Sequence, residues 1–263
     1  MVYRVTLPLA TESEREAEFQ VDGCRASVGI ENTKVLVSDV GATTLDEAQV
    51  KARAVAAKLL DILCSMYEHC LELGEEDPAT NRMDRVRSAL FEAEDGTKTY
   101  AVSDSSCIRT TLRCVDPTSD SWKLGVIPYV HLPAMASYRS AKLTENVFHK
   151  YRDFYLAIEN AAGKLHHGSE SSELLERALA TLYGANPVRL CDPLAKVGIV
   201  CLPQDAVSEA KRFLWKVHRL PLFHAAKNTR VVSDPNDGLE VEKALPIVEA
   251  VARDMIRAAA GAP

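Results

Sequence analysis

Short apolar runs broken by turn residues fill the first forty positions: Val2 to Leu9, Ala17 to Val21, Arg25 to Glu31 and Lys34 to Val40, rich in Val, Ile, Phe and Cys. Runs of this length and composition predict strands. Asp22-Gly23 between the second and third is a hairpin signal, because Gly tolerates positive φ, and Glu31-Asn32-Thr33 offers another tight reversal. The simplest arrangement is an antiparallel meander. The period then changes. Ala48, Ala52, Val55, Ala56, Leu59, Leu63 and Met66 recur at steps of three and four, which predicts a helix to about Leu71 whose apolar stripe lies on the sheet. Thr44 and Glu47 at its start have the spacing of a capping box. A polar stretch from Gly74 to Arg87 ends in a shorter helical piece, and Thr97 to Val102, Ile108 to Val115 and Trp122 to Val130 again have strand character.

Pro128 and Pro133 interrupt the pattern, which places a domain boundary near residue 136 and yields domains 1–136 and 137–263. Beyond it, Val147, Phe148, Tyr151, Phe154, Tyr155, Ile158, Ala162 and Leu165 form a wide aromatic stripe on one helix, with Thr144 as its expected cap. Ser171 to Tyr183, Gln204 to Leu220 and Leu239 to Ala260 complete four helices, a number that suits an antiparallel bundle. The predicted class is α+β: an N-terminal antiparallel sheet with a long helix, followed by a C-terminal helical domain. The aromatic stripe carries more apolar surface than one neighbouring helix covers, so a homodimer through the helical domain is expected.

Composition adds limits. With 47% hydrophobic and 26% charged residues the chain has material for a buried core. No apolar run reaches bilayer-spanning length and the first ten residues lack the layout of a signal peptide, so the expected location is cytoplasmic with no membrane partner. Seven cysteines, with no Cys-x-x-Cys pair or matching histidine spacing, read as reduced thiols and call for no metal or other cofactor. His166-His167 reads as a pair of cationic caps at a helix end rather than a ligand pair.

Charge is unevenly spread. Residues 1 to 140 hold 15 Lys+Arg against 22 Asp+Glu, and the remainder 16 against 15, so an anionic partner should meet the C-terminal half. Between Glu209 and Asp234 no acidic residue occurs, while Lys211, Arg212, Lys216, His218, Arg219, His224, Lys227 and Arg230 do. On an α-helix Arg212, Lys216 and Arg219 share a face that can contact phosphates. A solvated basic surface is the alternative reading. Arg219 and His224 stand five apart in Arg219-Leu220-Pro221-Leu222-Phe223-His224. Arginine can neutralise phosphorane oxygens through its planar fork and histidine can move a proton near neutrality.

That spacing resembles the R-x4-6-H signature of the HEPN superfamily, whose four-helix domains pair so that two motifs form a metal-independent ribonuclease site. The resemblance implies Arg219 and His224 as catalytic residues and Arg212, Lys216, Lys227 and Arg230 as contacts for RNA. Glu159 and Tyr155 would support the site or the structure. Leu220 and Pro221 depart from the pattern, since the family often has a polar residue after the arginine and proline removes a backbone donor. Arg219 paired to a carboxylate such as Glu159, with His224 satisfied at a bundle end, is the structural alternative. More of the region resembles the methylamine-utilisation proteins of the MauJ type. The likeness lies in Tyr151-Arg152-Asp153-Phe154-Tyr155-Leu156-Ala157-Ile158-Glu159-Asn160, in Leu222-Phe223-His224-Ala225-Ala226-Lys227, and in Asp234-Pro235 with the closing helix. This second resemblance implies a non-catalytic accessory or assembly protein. A small-molecule enzyme with a pocket between the domains is a third reading.

Overall fold

The computed structural model describes residues 2–14, 16–74, 87–92, 98–103, 131–166, 171–219 and 235–261. The chain divides into two compact units, Met1–Leu60 with Leu71–Pro128 and Asp61–Cys70 with Tyr129–Pro263.

The first unit begins with strands β1 (Val2–Ser13), β2 (Ala17–Val21), β3 (Cys24–Val28) and β4 (Asn32–Gly41). Along each, alternate residues are buried, among them Val5, Leu7, Phe19, Ala26, Val28, Val35 and Val37, as a sheet with one covered face requires. All pairs are antiparallel, but the order is β1-β4-β3-β2 rather than a meander. Length explains the difference. Twelve-residue β1 can extend its ladder along ten-residue β4, whereas β2 and β3 have five residues each. The hairpin expected at Asp22-Gly23 is present, with φ of +50° and +78° joining Val21 to its partner Cys24. Between the pairs Tyr3–Val40 and Val5–Val37, β4 carries one extra residue, and Asp39 there has φ +63°.

Helix α1 (Leu45–Tyr67) buries Ala48, Ala52, Val55, Ala56 and Leu59, the stripe that the spacing predicts. Lys51 Nζ donates to the Gly41 carbonyl at 2.8 Å and Lys58 pairs with Asp22, which ties the helix to both ends of the strand system. The helix stops four residues short of the expected Leu71. Glu68, at φ +57°, turns the chain out of it while the N–H groups of Glu68 and His69 still reach the carbonyls of Cys64 and Leu63. Strands β5 (Arg87–Glu92) and β6 (Lys98–Ser103) pair as a two-stranded antiparallel ribbon. The helical piece expected at the end of the polar stretch from Gly74 to Arg87 lies outside the described residues, and Arg87 opens β5. Ile108 to Val115 and Trp122 to Val130, expected as strands, lie outside the described residues.

In the second unit the helices are α2 (Pro133–Leu143), α3 (Val147–Leu165), α4 (Ser171–Tyr183), α5 (Val188–Lys196), α6 (Ala206–Lys211) and α7 (Pro235–Ala259). A 3-10 turn, Pro203–Asp205, precedes α6, and a π-helical segment, Arg212–Arg219, continues it. The α+β class holds, and α2 and α5 are additional to the four expected helices. Helix α3 is central, packed against α2 and α7 and touching α4. Its cap is Asn146, whose Oδ1 accepts from the His149 N–H at 3.0 Å, and not Thr144, which follows α2. Its stripe is the core: Tyr151, Phe154, Tyr155 and Ile158 are fully buried within one chain. Each such apolar side chain contributes about 2 kcal/mol. The stripe is covered by the chain's own helices, so it offers no surplus apolar surface to motivate a second copy.

Cys64 and Cys70 form a disulfide, which overturns the reduced-thiol reading for that pair. The turn at Glu68 brings their Cα atoms to 4.3 Å, a spacing that sequence separation alone does not reveal. Cys24, Cys191 and Cys201 are free thiols, and Cys107 and Cys114 lie outside the described residues. No helix among the described residues is long and apolar enough to cross a membrane.

Candidate functional site

Of the basic run, the structure describes the side chains of Lys211 and Arg212. Arg212 is held by Glu209, with Nε and a terminal nitrogen at 2.9 and 2.7 Å from one carboxylate oxygen, and Lys211 is paired with Glu176 at 2.5 Å. Arg212, Lys216 and Arg219 fall in the π-helical segment. A π-helix closes its hydrogen bonds five residues apart and turns less per residue, so the α-helical register that aligned these three does not apply. Tyr151 contributes to this local geometry, since its buried hydroxyl donates to the Leu214 carbonyl at 3.2 Å. Tyr155 stacks on Tyr151 and lies 6.5 Å from the Trp215 ring, a core position. Glu159 is half-buried beside Ile158 and Leu174. Arg219 ends the π segment, its side chain outside the described set, and His224, Lys227 and Arg230 lie outside the described residues. The pairing of Arg219 with His224 is therefore carried by the sequence alone. His166 stands at the C-terminal cap of α3 with Nε2 3.1 Å from Thr181 Oγ1.

Two polar constellations were not singled out by sequence reasoning. The first is buried. Asp61, 3% exposed, has one carboxylate oxygen 2.8 Å from His131 Nε2 and accepts from Arg139 Nε on the other at 2.6 Å. Its signal was a lone carboxylate inside the apolar series Leu59-Leu60-Asp61-Ile62-Leu63. A charge so placed is retained when partners neutralise it, and those partners come from 70 and 78 positions away.

The second is a cleft of about 550 Å³ between α5 and α7. Arg189, Asp192 and Lys196 line it from α5, and Glu249, Arg253, Asp254 and Arg257 from α7. Pro193 and Pro246, both inside helices, also border it, and each removes a backbone donor from its helix at that wall. Asp254 accepts from the Tyr183 hydroxyl at 2.9 Å and from Arg189 at 2.8 Å, with the same guanidinium over the Tyr183 ring. Glu249 accepts from Lys142 Nζ at 2.7 Å and from the Tyr138 hydroxyl at 3.4 Å. Burial, and then the neighbouring carboxylates Asp254 and Glu249, push Tyr183 and Tyr138 well above the ordinary tyrosine range, so both remain hydrogen-bond donors. Arg253 pairs with Glu68, and Arg257 donates to the Met66 carbonyl at 3.1 Å. The arrangement is a hydrogen-bonded wall in which cations and carboxylates alternate along an open cleft.

A family model described as methylamine utilization protein MauJ matches residues 134–257. This region of the chain is MauJ-like. No curated protein and no solved structure matches the chain. The MauJ-like region starts in α2 and reaches into the last turn of α7, so it contains the aromatic core of α3 and every residue that lines the cleft. Asp61, the Cys64–Cys70 bridge and Glu68 lie before it.

Proposed function

We propose that the protein is a non-catalytic accessory or assembly protein of the methylamine-utilisation type. The observation that carries this reading is the match to the MauJ family model over residues 134–257, which coincides with the packed helices of the second unit. The chemistry of the cleft supports the same reading. Two of its three carboxylates, Glu249 and Asp254, are bound to arginine, lysine and tyrosine partners, an arrangement that presents a charged surface. A homodimer remains part of the proposal as a question of assembly, with the α3 stripe removed from its rationale.

The test is genetic and biochemical together. Deleting the gene in its host should abolish growth on methylamine and spare growth on ammonium with a sugar, and the purified protein should turn over neither methylamine nor RNA. Cleavage of a structured RNA in EDTA to 2′,3′-cyclic phosphate ends, lost in His224→Ala, would replace this reading with the Arg219–His224 ribonuclease. Unimpaired growth of the deletion strain on methylamine would remove the accessory role.

A further inference from the structure

The cleft between α5 and α7 contains more positive charge than its carboxylates neutralise. Glu249 is paired with Lys142, Asp254 with Arg189, and Arg253 with Glu68. Two cations of the lining, Lys196 and Arg257, have no carboxylate partner among the described residues, against one such carboxylate, the exposed Asp192. Arg257 uses one donor on the Met66 carbonyl and keeps the rest of its fork. Arg253, one turn earlier on the same face, has a buried Nε without an acceptor. Arg257 in the last turn of α7 and Lys196 in the last turn of α5 each also face the negative end of their own helix dipole, and the two meet on opposite walls of one cleft.

We propose that this cleft is a binding site for a small oxyanion, a phosphate or carboxylate group, held between Arg257 and Arg253 on α7 and Lys196 on α5. A guanidinium fork matches two oxygens of such a group, and the Met66 carbonyl holds Arg257 in place beforehand, which lowers the ordering cost of binding. The volume of about 550 Å³ admits a small metabolite around the anionic group. The site stands apart from the accessory reading, since an assembly protein and an enzyme alike can hold such a ligand.

Isothermal titration calorimetry on the full chain at constant ionic strength tests the proposal, with inorganic phosphate in one arm and succinate in the other. Saturable one-site binding is expected in at least one arm, and the arm that saturates identifies the oxyanion. Arg257→Gln and Lys196→Gln should each weaken it about tenfold, the loss of one charge-assisted contact. Arg177→Gln, on the exposed side of α4 beside Glu173, should leave it unchanged. Lys196 is exposed, so its variant reports binding even where Arg257→Gln disturbs folding. No saturable heat with either anion, wild-type affinity in both cleft variants, or equal weakening in Arg177→Gln would overturn the site.

Discussion

The two ends of α1 satisfy their polar groups in opposite ways. At the start, Thr44 Oγ1 accepts from the Glu47 N–H at 3.2 Å, Glu47 accepts from the N–H and hydroxyl of Thr43, and Lys51 closes the set at 2.7 Å. Every partner lies within a few residues and near solvent. At the far end, Asp61 is joined to His131 and Arg139, Glu68 to Arg253, and the Met66 carbonyl to Arg257, partners 70 to 191 positions away. The near end is a local device that water competes with. The far end is a set of long-range ties, of which the Asp61 cluster is buried and costly to break while the Glu68–Arg253 pair lies nearer to solvent.

The sharpest way to break this comparison is Asp61→Asn. It removes the buried anion that Arg139 and His131 both face, and the expected loss is about 3 kcal/mol in urea unfolding. A loss no larger than that of an exposed pair would mean that water reaches the site. Next is removal of the disulfide in Cys64→Ser with Cys70→Ser, which frees a short loop and should cost about 2 kcal/mol. Non-reducing alkylation followed by peptide mapping should leave Cys64 and Cys70 unlabelled in the native protein, and labelling of both would refute the bridge.

Tyr183→Phe tests a long-range tie of intermediate strength, the hydroxyl held by Asp254, with an expected loss of about 1.5 kcal/mol. The same tyrosine and Tyr138 give a pH dependence. Their folded pKa values are raised, so the favourable neutral state is fully present below the ordinary tyrosine pKa of about 10. Above it the unfolded chain ionises first, and stability should fall in alkaline thermal melts.

The smallest effect is expected from Glu47→Gln at the near end. Hydrogen bonds from Lys51 and then Thr43 hold its carboxyl down at about 2. A depressed folded pKa contributes stability above the ordinary Glu value that is lost as pH falls toward 2. The wild-type advantage over Glu47→Gln should therefore be present at pH 7 and vanish in acid. An advantage that persists at pH 2 would assign it to packing.

The same contrast explains what was legible. The capping pair at Thr44 and Glu47, the Asp22-Gly23 hairpin and the α3 stripe are written in residues a few positions apart, and sequence reasoning found each. Placement of β1 beside β4, the strand at Arg87–Glu92 and the π segment at Arg212–Arg219 depend on partners outside the local window. So does the cleft. Its cations, Arg189, Lys196, Arg253 and Arg257, are spread over two helices and mixed with carboxylates, so no run of charge announces them. The conspicuous run from Lys211 to Arg230 drew attention instead, yet its first two members are neutralised by Glu176 and Glu209.

By itself the sequence determined the α+β class, the four antiparallel strands, the long helix after them and the helical C-terminal region with its MauJ-like blocks, because periodicity and turn chemistry act over short distances. Tertiary structure alone decided the strand order, the closure of the Cys64–Cys70 bridge, the covering of the α3 stripe within one chain, and which charges are neutralised. Those outcomes depend on where burial removes water and which distant groups then supply hydrogen bonds, and residue spacing along the chain carries no record of either.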